Sequence, residues 1–187
     1  MRNKNNNKNT GYTIIETMIS VSLFLIIVTI GMGSLLNANV IHKKSQAMRS
    51  IIDNLNFVME DMSRNLRTGY SYHCIDDNNL TTTTPHSCGA GGGISFKSSL
   101  GGQWVYYISN DNKILKSVDG GSNFIQLTPD EIKIDGLSYF KVEGAEPPPG
   151  DSRQPFVTIK LVGSITYNGI VSPFSLQTSV SQRSIDI

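Results

Sequence analysis

GYTIIETMISVSLFLIIVTIGMG, residues 11–33, decides how the rest of the chain is read. It opens an uncharged run, because from Thr17 to His42 there is no Lys, Arg, Asp or Glu. A helix needs about 20 mostly apolar residues to cross a bilayer, and this run is long enough. One acid, Glu16, stands at its upstream end. A carboxylate inside the membrane margin costs up to roughly 2.5–3.5 kcal/mol even on the mild insertion scale, so Glu16 asks for a partner.

Upstream, MRNKNNNKNTG (1–11) carries Arg2, Lys4 and Lys8, no acid, and Met1 as its single apolar side chain. Asparagine dominates the remainder, no core forms from such a composition, and disorder is expected there. A secretory signal peptide does not fit: its apolar stretch is shorter, about 7–15 residues, and its small residue follows that stretch. Here the small residue, Gly11, precedes it. Removal of 1–11 would take three of 16 basic side chains and none of 15 acidic ones, turning a net charge of +1 into −2.

The averages over 187 residues hide this asymmetry. With 39% hydrophobic and 17% charged residues, a globally disordered or collagen-like chain is excluded. Near neutrality also argues against a nucleic-acid binder built on a basic field.

Downstream the helix continues. Met48, Ile52, Leu55, Met59, Met62 and Leu66 are spaced by three or four residues and form one apolar stripe. Lys43, Lys44, Arg49, Asp53, Glu60, Asp61, Arg64 and Arg67 occupy mostly the other faces. No proline interrupts 12–68, and Gly69 offers a stop. A continuous helix over 12–68 would span about 85 Å at ~1.5 Å per residue, its second half lying across a sheet in preference to forming a coiled coil, the alternative its six-position stripe allows.

Residues 70–94, rich in Thr, Asn and Gly, read as a loop without packed elements. Cys74 and Cys88 would close a ring of about 15 residues, worth ~3 kcal/mol in the chain-entropy estimate. A disulfide is favoured over free thiols and over a metal site with His73 and His86, whose order does not match usual zinc spacing. Asp76 and Asp77 read as solvated loop acids.

From 94 onward strand patterns follow one another. QWVYYIS (103–109), KILKSV (113–118), FIQLT (124–128), EIKI and LSYFKV around Gly136, FVTIKLVGSITY and FSLQTSVSQ are the candidates, with EGAEPPPGDSRQP (143–155) as an exposed loop. Val157, Ile159 and Leu161 share one face, and so do Phe174, Leu176, Thr178 and Val180. About six short strands behind one long helix predict an α+β domain with an antiparallel sheet.

Gly11 through Glu16, followed by the apolar run, resembles the class III signal of type IV prepilins and type II secretion pseudopilins. Its usual form is G-F-T-L-I-E; Tyr12 here keeps the aromatic ring. The resemblance implies a type IV pilin-like fold: leader peptide 1–11, transmembrane and filament-core helix 12–36, amphipathic helix 37–68, and β-rich globular head 69–187. It implies cleavage between Gly11 and Tyr12 by a prepilin peptidase and N-methylation of Tyr12. It gives Glu16 an assembly role, neutralising the Tyr12 amine of an adjacent subunit; an uncompensated charge in low dielectric costs far more than a matched pair. The competing role for Glu16 is an acid at headgroup level near a helix N-terminus.

The implied partners are other pilins or pseudopilins, the prepilin peptidase, an inner-membrane assembly platform and membrane lipid, with no cofactor. Flanking charges tie, with Arg2, Lys4 and Lys8 against Lys43, Lys44 and Arg49. The family pattern puts the leader in the cytoplasm and the head outside, which agrees with two cysteines. FSLQTSVSQRSIDI, 174–187, looks like the last strand of J-type minor pseudopilins and W-type minor pilins. The missing proline in the membrane half also tilts toward a minor rather than a major subunit. A membrane-anchored adhesive or binding module is the reading outside the family.

SVDGGSNF (117–124) resembles the Asp-box hairpin of β-propellers through Ser117, Asp119, Gly121 and Phe124, but a propeller repeats its blade, and one box reads as a turn pinned by an Asp side chain. GAGGG (89–93) lacks the Lys-Ser/Thr of a phosphate loop. His42, His73 and His86 fit no nucleophile signature, and Asp76–Asp77 and Asp130–Glu131 read as surface pairs, so no catalytic residue and no enzyme activity is expected.

Overall fold

The computed structural model describes residues 11–77, 79–147, 149–167 and 169–184. Residues 1–10, where disorder and all but the last residue of the leader 1–11 are expected, therefore lie outside the described residues. The chain forms two compact units divided between Ser45 and Gln46.

Helix α1 runs from Ile14 to Thr68. In the first unit its apolar side chains, from Ile14 to Ile41, are exposed on every face, with Val28 partly covered. The hydroxyls within it turn back on their own helix: Ser20 and Ser22 donate to the Glu16 and Met18 carbonyls at 2.8 Å, and Thr29 to Leu25 at 2.7 Å. Such back-bonding satisfies these hydroxyl donors without water. α1 is long and apolar enough to cross a membrane, which fits a single span near the N-terminus.

In the second unit α1 buries Ile51, Leu55, Val58, Met59, Met62 and Leu66. This differs from the expected stripe at its start, where Ile51 replaces the exposed Ile52, Met48 is only partly buried and Val58 joins. A ridge 51-55-58-62 rotates the face slightly from the one drawn through Ile52. The helix ends as its last carbonyls find partners. Tyr72 Oη donates to the Leu66 carbonyl and, at 2.9 Å, to that of Gly69, and the Arg183 amide bonds the Arg67 carbonyl at 2.9 Å. A side chain on Gly69 would overlap the Phe96 ring, so close packing accounts for glycine here.

Among the described residues ten strands follow: β1 Tyr70–Ile75, β2 Cys88–Gly91, β3 Gly93–Lys97, β4 Gln103–Ile108, β5 Ile114–Ser117, β6 Ile125–Gln126, β7 Ile132–Ile134, β8 Tyr139–Glu143, β9 Phe156–Tyr167 and β10 Ile170–Ser181. The α+β class holds, with two antiparallel sheets in place of one. The first is ordered β1-β3-β4-β5-β6 and the second β10-β9-β8-β2, with β7 also pairing β9. β7 and β8 share one edge of β9, and the gap between them is closed by Ser138, whose hydroxyl accepts from the Val162 amide and donates to its carbonyl, both at 2.8 Å. Gly136 lies in this gap.

The reading of 70–94 as a loop is corrected, because β1, β2 and β3 lie in it. Turn-forming residues cluster between Asp76 and Pro85, whereas Tyr72 and Cys74 on one side and Ile94 and Phe96 on the other are buried strand positions. The glycines that suggested coil are dictated by close approach. A Cβ on Gly91 would lie 2.7 Å from Cys74 Sγ and from the Ile75 carbonyl oxygen, and one on Gly93 2.6 Å from the Tyr106 carbonyl oxygen. The core joins the helix stripe to both sheets around Tyr72, Phe96, Tyr106 and Phe140. The Phe96 ring stacks on Tyr106 at 5.9 Å and meets the Trp104 edge at 6.3 Å.

Candidate functional site

The segment singled out by sequence begins with Gly11 and Tyr12, both exposed and both ahead of the helix. Among the described residues nothing lies within 4 Å of a Cβ placed on Gly11, so none of them requires glycine there by crowding. Thr13 caps α1: the Glu16 amide bonds the Thr13 carbonyl at 3.1 Å and its Oγ1 at 3.4 Å, while Thr13 Oγ1 donates to Glu16 Oε2 at 3.5 Å. T-I-I-E thus has the spacing of a capping box, with Glu16 in the first turn. Sequence reasoning missed this cap, although Thr and Glu three residues apart are its signature. The carboxylate remains exposed, and among the described residues no cationic side chain reaches it.

Cys74 and Cys88 are joined in a disulfide, with Cα atoms 5.7 Å apart. Cys74 belongs to β1 and Cys88 to β2, so the bond staples one sheet to the other. The returning loop is held beside it. The Cys74 amide bonds the His86 carbonyl and the His86 amide the Tyr72 carbonyl, each at 3.0 Å. His73 and His86 rings lie 5.4 Å apart, and His86 Nε2 is 3.4 Å from Asp76 Oδ2. Among the described residues no three His, Cys, Asp or Glu side chains converge as a metal site.

Two polar anchors went unread in the sequence. Glu146 accepts from the Ser87 amide at 2.7 Å and from the Ser87 hydroxyl, tying the loop before β2 to the loop after β8. The Ser87 hydroxyl holds the Glu146 carboxyl below its ordinary range. Asp61, assigned to an outer helix face, instead meets β5. Lys116 Nζ reaches its Oδ2 at 2.9 Å, Tyr106 Oη donates to the same oxygen at 3.1 Å, and Asn65 Nδ2 donates to its Oδ1 at 3.0 Å. Burial pushes the carboxyl up, but the bond and charge of Lys116, with Tyr106 and Asn65, carry it down overall. Its neighbour Met62 lies in the buried stripe, the one hint that Asp61 flanks a packed face.

The Asp-box-like turn is pinned by side chains. Ser117 Oγ donates to Asp119 Oδ1 at 2.6 Å, and that oxygen accepts from the Asn123 amide at 2.9 Å. These bonds, led by Ser117, lower the Asp119 carboxyl to about 2. Set beside known proteins, the chain matches no family model, no curated protein and no solved structure.

Proposed function

We propose that this chain is a structural subunit of a type IV pilus or a type II secretion pseudopilus, a minor pilin or pseudopilin held in the inner membrane before assembly. One observation carries the reading: an exposed carboxylate, Glu16, in the first turn of a helix that then carries no charged side chain from Thr17 to His42 and exposes apolar side chains on every face of that stretch, immediately after Gly11–Tyr12. An apolar surface of that extent is stable only in lipid or against other apolar helices. Cleavage after Gly11 removes the basic leader and keeps the anchor. It also frees an amine that can neutralise Glu16 of a neighbouring copy or related subunit. Contacts of this head-to-tail kind do not close, and so they build a fibre. The head, outside the cytoplasm, keeps its inter-sheet disulfide in an oxidising setting.

The test is Glu16→Val in cells that carry the processing and assembly machinery. Cleavage at Gly11 should persist while incorporation into filaments falls. Normal incorporation of the variant would remove the role given to Glu16.

A further inference from the structure

Strand β10 ends its sheet: on one side it pairs with β9 over its whole length, from Ile170↔Tyr167 to Ser181↔Phe156, and on the other no described strand pairs with it. The register fixes which backbone groups face out. The Thr166 amide bonds the Glu131 carbonyl, and the Val162 carbonyl accepts from the Asp135 amide, so these even-numbered residues of β9 point away from β10. Antiparallel strands alternate, so the partners of those residues on β10, the odd-numbered ones, turn their amides and carbonyls to the free edge. Pro173 has no amide to offer, and the open row is therefore Ser175, Gln177, Ser179 and Ser181.

Proteins ordinarily blunt such an edge with charge, and this one carries none. From Leu161 to Gln182 there is no Lys, Arg, Asp or Glu. On the core side Phe174, Leu176 and Thr178 are only half-buried, while Ser175, Gln177 and Ser179 are exposed on the other.

We propose that β10 pairs antiparallel with β10 of a second copy of this chain, across a twofold axis at Thr178. Use of the whole open row, from the first residue beyond Pro173 that bears an outward amide to the strand end at Ser181, places the axis there. Ser175 then bonds Ser181 of the other copy and Gln177 bonds Ser179. Thr178 faces Thr178 and Leu176 faces Val180, a Thr–Thr and an apolar cross-strand pair of favourable kinds. Self-pairing of a charged strand would set like charges opposite each other; here every facing pair is neutral. The inference is independent of the filament reading.

The chain has no free cysteine, because Cys74 and Cys88 are bonded to each other, so one introduced thiol reports alone. In the proposed register Thr178 is a non-hydrogen-bonded pair with Cα atoms about 4.5 Å apart, within disulfide reach. Full-length Thr178→Cys chain in membranes, mildly oxidised, should become a covalent dimer, whereas Thr166→Cys, exposed on β9, should not. Gln177→Pro deletes an outward amide and leaves the β9 ladder intact, and should lower dimer formation by roughly tenfold. Its folding is read from protease resistance of the head, and Ser175→Pro takes its place if that resistance is lost. Equal cross-linking from Thr178→Cys and Thr166→Cys, a monomeric Thr178→Cys chain, or capture of a different protein by that thiol would each overturn the proposal.

Discussion

Lys116 Nζ lies 2.9 Å from Asp61 Oδ2, and this ion pair joins β5 to the amphipathic half of α1. The ammonium also sits 4.6 Å from the centre of the Trp104 ring, so its aliphatic stem and charge are both engaged. Asp61→Ala should destabilise the head by about 1.5–3 kcal/mol, the range for hydrogen bonds to a charged group. Denaturant unfolding of Asp61→Asn, Lys116→Met and the double variant should give a coupling energy of about 1 kcal/mol, and additive losses would show that the pair does not dock the helix.

The same carboxyl sets an acid limit. Its folded pKa lies below the ordinary 3.8, so the unfolded chain takes up the proton first. The stabilisation from this network is therefore complete above that ordinary value and lost as pH falls through the lower folded one. Unfolding midpoints from about pH 6 down to about pH 2 should show the gap between the parent chain and Asp61→Asn narrowing toward acid. A gap that stays constant over that range would contradict the assignment.

The disulfide connects two sheets, so its loss acts on both. Cys74→Ser with Cys88→Ser should lower stability by about 3 kcal/mol, in line with the entropy of a ring of that size. Folded, exported chain should bind no thiol reagent until reduced. Two reactive thiols before reduction would contradict the bond.

Gly163, in the middle of β9, has no room for a side chain: a Cβ would overlap the Lys133 carbonyl oxygen and press on the Phe174 ring. Gly163→Ala should cost about 1–3 kcal/mol through overpacking. At Gly136 an added Cβ meets nothing within 4 Å, and Gly136→Ala should be near neutral. Equal thermal midpoints for the two variants would contradict the packing described.

Long periodic patterns were legible in the sequence. The helix, β9 and the inward row Val157, Ile159 and Leu161 follow from spacing alone, because burial repeats with the backbone period. What was not legible depends on residues distant in the chain. Gly91 and Gly93 look like coil until Cys74, Ile75 and Tyr106 are set against them. Asp61 looks solvated until Lys116, 55 positions away, reaches it. β10 starts at Ile170, ahead of the alternating stretch that begins at Phe174, because Pro173 turns its missing amide to the free edge and does not interrupt the ladder. At the N-terminus, Gly11 and Glu16 stood out in the sequence, while the Thr13 cap needed hydrogen-bond geometry to be seen.

The filament reading rests on a new amino terminus at Tyr12. Intact mass spectrometry of chain recovered from cells with a prepilin peptidase should give the mass of residues 12–187 plus one methyl group. Recovery of residues 1–187 at full mass from such cells would contradict it.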